Sequence, residues 1–179
     1  KFPKKAHPMD VARTAVSILG LEDKETKDNS PKANMRKVMR IFAKTPVALA
    51  AFYRSRKGKK IIAPKKNLSF SENFFYMCFG KVPNKEIVKA FDVSLILYAE
   101  HSFNVSTFTA RTITSSLSDI HGSITGAIAS LKGPLHGGAN EEVMHMMNKI
   151  KKPENALKWI NEALDNKDVV MGFGHRVYK

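Results

Sequence analysis

The chain has 179 residues, 43% hydrophobic and 26% charged, enough for one domain with a real core and ordinary for a soluble globular protein. Its one cysteine, Cys78, excludes an internal disulfide and argues against a cysteine-based zinc site; the neighbours Phe74, Phe75, Met77 and Phe79 predict a buried thiol. The formal charge of +14 is lopsided, because residues 1–89 carry 21 Lys and Arg against 7 Asp and Glu while residues 90–179 carry 9 against 9.

In chain order, Pro8 and the apolar spacing after it predict a helix over residues 9–19, with Gly20 as its stop. Asn29-Ser30-Pro31 opens a long helical segment to about Arg56, with Ser30 as cap and Pro31 in the first turn. Val38, Ile41, Phe42, Val47, Leu49 and Phe52 form its apolar side, and Pro46 should bend or divide it. The run Arg54-Ser55-Arg56-Lys57-Gly58-Lys59-Lys60, followed by Lys65-Lys66, reads as a solvated lysine-rich loop, with a polyanion-binding patch as the alternative. Arginines and aromatics are not interleaved there, as a base-stacking platform would need.

Residues 69–79 read as a short aromatic helix. From Asn84 to about His101, Ile87, Val88, Phe91, Leu95 and Tyr98 recur at three- and four-residue steps, and His101 continues that stripe. Residues 105–135 carry only Arg111, Asp119 and Lys132 as charges among many small residues, which predicts helices buried on most faces, including against a second subunit. Asp119 and His121 interrupt any membrane-spanning run. Residues 140–150 and 153–164 complete the helices, the latter with Leu157, Ile160 and Leu164 on one stripe around Trp159. No run alternates convincingly at strand period, so the fold class is all-α. The first residue is Lys1, no secretory signal is visible at the start, and the chain reads as an interior piece of a longer protein.

Chemistry concentrates at three histidines. His136 sits in Gly133-Pro134-Leu135-His136-Gly137-Gly138-Ala139-Asn140, His175 in Gly172-Phe173-Gly174-His175-Arg176-Val177-Tyr178-Lys179, and His101 in Glu100-His101-Ser102-Phe103-Asn104. Glycine removes side-chain bulk so that backbone and ligand approach closely, and imidazole changes charge near neutral pH. His136 stands just ahead of a predicted helix start near Ala139, where the dipole opposes added positive charge. A neutral imidazole donating one N–H there suits a developing enolate oxygen. On the residues alone, each glycine-rich turn reads equally as a structural corner, and His101 as a satisfied core residue. The segment Val169-Val170-Met171-Gly172-Phe173-Gly174 lacks the third glycine and the βαβ setting of a dinucleotide loop. No carboxylate or cysteine stands at ligand spacing beside the three histidines, so no metal site is expected. His7, His121 and His145 read as structural or exposed.

Gly133-Pro134-Leu135-His136-Gly137-Gly138-Ala139-Asn140-Glu141-Glu142-Val143, followed by Met171-Gly172-Phe173-Gly174-His175-Arg176-Val177-Tyr178-Lys179, resembles citrate synthase. The stretch from Leu97 to Arg111 and Ala6-His7-Pro8-Met9-Asp10 are similar to its bacterial-type branch. The resemblance covers essentially the whole chain. It implies a mainly helical homodimer, or a hexamer of dimers, whose large domain is closed over the substrates by a small one. Residues 1–179 would be a partial citrate synthase domain truncated at both ends, large-domain helices with the start of the small-domain portion.

The implied reaction condenses acetyl-CoA with oxaloacetate and hydrolyses the thioester to citrate and CoA, with CoA as co-substrate and no prosthetic group. By resemblance, His136 stabilises the acetyl-CoA enolate, and His175 bonds the oxaloacetate carbonyl and supplies its proton. His101 and Asn104 bind oxaloacetate, and Val169, Val170, Gly172, Phe173 and Lys179 form the coenzyme A strip. The family's catalytic Asp and several substrate arginines would lie beyond this chain, leaving it inactive alone. Neither a nucleic-acid nor a membrane partner is implied, and the location is cytoplasmic, or mitochondrial in a eukaryote. The nearest rival is 2-methylcitrate synthase, which uses propionyl-CoA; one methylene separates the substrates, worth ~1–3 kcal/mol. Arg176 and Lys179 tilt the reading towards citrate. A basic helical nucleic-acid-binding protein, motivated by residues 54–66, is the alternative from another class.

Overall fold

The computed structural model describes residues 2–100 and 103–174. Among them eight α-helices follow one another: α1 Pro8–Glu22, α2 Pro31–Arg56, α3 Phe70–Phe79, α4 Lys85–Tyr98, α5 Val105–Ser115, α6 Ile120–Leu131, α7 Ala139–Ile150 and α8 Ala156–Asp165. A single 3-10 turn, Pro153–Asn155, precedes α8, and no strand occurs among the described residues, so the fold is all-α. The chain forms two compact units, Lys1–Ser130 and Leu131–Lys179.

In the first unit, local chemistry sets the helix starts. His7 Nδ1 accepts the Met9 N–H at 3.1 Å ahead of Pro8, and the Ser30 hydroxyl accepts from Ala33 N–H. Ser69 and Glu72 form a reciprocal capping box, and Asn84 accepts the Ile87 N–H at 2.9 Å. Val11, Ala12, Ala15 and Val16 bury the inner face of α1 against α2, which offers Ala33, Lys37 and Ile41. Further along α2, Ala50 joins Met77 and Cys78 of α3, with Val47, Tyr53 and Phe74 packed around them. Burial pushes the Cys78 thiol up, against the opposing Arg54, which makes it an inert core residue. Phe74 and Phe75 meet Phe91 of α4 at centroid distances of 5.6 and 5.1 Å.

Cations on α2 tie down the corner between α1 and α2. Lys37 is fully buried, and its Nζ donates to the backbone carbonyls of Asp28 at 2.7 Å and Thr26 at 3.4 Å. Arg40 forks onto Asp23 with two bonds of 2.9 Å, and Arg36 pairs with Glu25. The same corner meets the turn ahead of α6. Asn29 Nδ2 donates to Leu117 O at 3.2 Å, and the buried His121 sets Nε2 3.4 Å from Asp23 Oδ2 and Nδ1 3.6 Å from Asp119 Oδ1.

Several expectations are corrected. Gly20 does not end α1, which runs on to Glu22. Its missing side chain serves close packing instead, since a methyl there would stand 2.9 Å from His121 Cβ. Pro46 does not divide α2, whose second half is held by Val47 and Ala50 packing on α3. The buried stripe of α2 passes through Ala33, Lys37 and Ile41, leaving Val38 and Phe42 exposed. Helix α4 stops at Tyr98, short of the expected end near residue 101, and Asn104 caps the next helix; His101 itself lies outside the described residues. Within this chain no residue of α5 is buried; it meets α6 through Ile113 beside Gly126 and Thr114 against Ser123, and α6 buries His121 and Ser123. On α8 the buried residue is Ala163, whereas Leu157 and Leu164 are exposed.

Candidate active site

Within the second unit, residues 133–138 form a turn that leads straight into α7. Gly133 O accepts two amides, His136 N–H at 2.9 Å and Gly138 N–H at 3.1 Å, and His136 O accepts from Ala139 N–H at 3.2 Å. Glu141 and Glu142 N–H close on Gly138 O at 3.1 and 3.2 Å, so the first turn of α7 grows directly out of the loop. The loop has no room for side chains at its glycines. A methyl on Gly137 would lie 2.5 Å from Leu131 Cδ1 and 2.6 Å from Leu131 O, and one on Gly138 would lie 2.9 Å from Gly133 O. This explains Gly137 and Gly138 without recourse to a ligand.

What the turn does with its remaining residue is different. It fixes the backbone of His136 on both sides and leaves the imidazole half-buried beside the N-terminus of α7. Glu141 and Glu142 in the first turn of α7 complement the positive end of its dipole. An imidazole projecting from a rigid loop is suited to donating a hydrogen bond to an oxygen that gains charge, because little backbone reorganisation is left to occur.

The second glycine-rich segment also borders α7. Gly172 has φ +91 and Gly174 φ +76, left-handed conformations that favour glycine, and Phe173 N–H donates to Val170 O at 3.3 Å. A methyl on Gly172 would stand 3.2 Å from Val143 Cγ2, so this segment rests on the second turn of α7. Val169 and Phe173 are exposed, and Val170 is half-buried. One helix thus carries the His136 turn at its start and the 169–174 segment on its side.

Asn104 is in the first unit, where Oδ1 caps α5 by accepting Thr107 N–H at 2.7 Å and the Ser106 hydroxyl at 2.8 Å. His101, His175 and Lys179 lie outside the described residues. Among the described residues no cluster of three or more His, Cys, Asp or Glu could hold a metal ion, and no helix is long and apolar enough to cross a membrane. Sequence reasoning missed Val143, which looks like an ordinary helix residue until the chain returns to place Gly172 against it. It also missed how fully His121 is enclosed by acidic neighbours.

The whole chain, residues 1–179, matches the family model described as citrate synthase, C-terminal domain. It is 58% identical over 186 residues to 2-methylcitrate synthase 2 of Corynebacterium glutamicum, covering 99% of this chain and 48% of that protein. It is 52% identical over 179 residues to citrate synthase of Mycolicibacterium smegmatis, covering 100% of this chain and 48% of that protein. A solved ternary complex of carboxymethyl coenzyme A and oxaloacetate with citrate synthase from Thermoplasma acidophilum matches with a TM-score of 0.84 at 34% identity, covering 99% of this chain and 46% of that one. The chain spans about half the length of the curated relatives it matches.

Proposed function

This chain belongs to the citrate synthase family, and on that premise we propose that the full-length protein condenses acetyl-CoA with oxaloacetate and releases citrate and CoA. A base takes a proton from the methyl carbon beside the thioester, and His136 donates one N–H to the enolate oxygen that forms. The enolate carbon attacks the oxaloacetate carbonyl, and His175 gives the proton that this oxygen takes up as the carbon–carbon bond closes. Water then hydrolyses the citryl thioester. His101 and the amide nitrogen of Asn104 hold oxaloacetate, while Val169, Val170, Gly172, Phe173 and Lys179 line the coenzyme A strip. Closure over the substrates excludes water and protects the enolate. No prosthetic group is needed, and the protein works as a cytoplasmic homodimer; the uncovered face of α5 supports that assembly.

The observation that carries this reading is the His136 turn, a rigid loop that fixes the backbone from which this imidazole projects, at the start of α7. In the full-length protein, His136→Ala should lower kcat by about 10²–10³-fold, the usual cost of losing one oxyanion donor. Unchanged turnover would overturn it. A second reading, 2-methylcitrate synthase, is supported by the 58% identity to a relative of that name. Turnover measured side by side with acetyl-CoA and propionyl-CoA separates the two, and a clear propionyl preference would replace the acetyl assignment. Nothing in the family match supports the nucleic-acid alternative. The lysine-rich run instead forms a loop fastened by Arg54 to Cys78 O at 3.2 Å and by Lys65 over the Tyr76 ring at 4.4 Å.

A further inference from the structure

We propose that Val143 is a positioning residue for the condensation, a rigid spacer that sets the distance between the 169–174 segment and the His136 turn. The inference rests on the site reading above, in which that segment holds coenzyme A and His136 meets the thioester oxygen.

Both parts bear on α7. The turn is bonded to its first residues, through Ala139 N–H to His136 O at 3.2 Å and Glu142 N–H to Gly138 O at 3.2 Å. The segment approaches its side, where Gly172 leaves so little room that an added methyl would come within 3.2 Å of Val143 Cγ2. Ala139, Val143, Met146 and Ile150 are the half-buried positions of α7, at three- and four-residue steps, and they mark its inward face. After Ala139, which the turn itself bonds, Val143 is the next member of that stripe and the first with a branched side chain.

Valine fits the task for a specific reason. A β-branched side chain in a helix has one strongly preferred χ1 rotamer, so Cγ2 cannot swing aside as a leucine or methionine terminus does. Gly172 completes the contact, because φ +91 and the short approach both disfavour any side chain there. Displacing reacting groups by about 1 Å can cost about 10²-fold in rate.

The test uses the full-length enzyme with Val143→Ile, Val143→Ala and Val143→Leu, and Met144→Ala as a control on the exposed side of α7. Acyl-CoA and oxaloacetate are varied separately, and thermal unfolding is followed for each variant. Val143→Ile keeps the branched spacer and should behave as wild type. Val143→Ala and Val143→Leu should raise the KM for acyl-CoA by about tenfold while the KM for oxaloacetate stays within about twofold. Acyl-CoA kinetics within about twofold of wild type in both variants would overturn the proposal. So would a uniform loss in both substrates that tracks a lowered unfolding temperature, since that is the behaviour of a merely structural residue. His136→Ala reports on the underlying reading independently. If it leaves turnover intact the site assignment fails; if it abolishes turnover and the Val143 variants do nothing, only the spacer fails.

Discussion

Glu25 accepts hydrogen bonds from Arg36 and Arg40, and they hold its carboxyl at about 2, against an ordinary 4.5. Asp23 also titrates below the usual range: burial raises it, but the Glu25 N–H, the Arg40 guanidinium and His121 outweigh that. Both groups are more acidic in the folded chain than in the unfolded one, so between those limits the unfolded state binds more protons. Their contribution is complete above the ordinary carboxylate range and is lost as pH falls from 4.5 towards about 2. Thermal unfolding of the full-length protein should therefore decline more steeply with acid than that of Glu25→Gln, the two curves converging at the acid end. Parallel curves across that window would show that the pairing contributes nothing. None of this was legible beforehand, since the sequence gives no hint that Asp23 and His121 meet from opposite ends of the first unit.

Helix α6 shows how glycines set the fit between elements. A methyl at Gly126 would run into Ile113 Cδ1 of α5, and one turn away Ser123 Oγ shares a 2.8 Å hydrogen bond with Thr114 Oγ1. Gly126→Ala forces the Ile113 tip aside, and the overpacking cost of about 1–3 kcal/mol is partly offset by the ~1 kcal/mol that alanine gains over glycine in a helix, so the net loss should be smaller. Ile113→Ala removes the obstructing atoms, so the double variant should lose less than the sum of the singles, a coupling that denaturant unfolding would measure. Strict additivity would mean that the helices simply part. Helix positions were largely legible because periodicity and caps are local: Ser30-Pro31 opens α2 and Asn84 opens α4 as expected. Burial was less so. The composition of α5 suggested an enclosed helix, yet enclosure depends on what lies across from it, and within this chain none of its residues is buried. At the candidate site the His136 turn was visible through its glycines, whereas Val143 acquires meaning only from a segment nearly thirty residues later in the chain.

At the scale of the whole molecule, the chain leaves many large apolar side chains uncovered: Leu97 is 74%, Phe103 89% and Phe108 72% exposed. Large apolar side chains left exposed in such number suit surfaces that other protein covers. The 179-residue chain on its own should associate into open-ended oligomers, bind a hydrophobic dye and form no citrate, whereas the full-length protein of the proposed function should stop at its closed dimer, leave the dye unbound and be active. Light scattering and dye fluorescence on the two proteins decide it; a monomeric, dye-free short chain would refute the expectation. Against that open side stands the enclosed ammonium of Lys37, coordinated by the carbonyls of Thr26 and Asp28. Freeing either carbonyl strands a cation in an apolar interior, at a cost of several kcal/mol. Amide protons around this junction are consequently coupled to global opening and should be the last to exchange with deuterated solvent, while those of α5 go early.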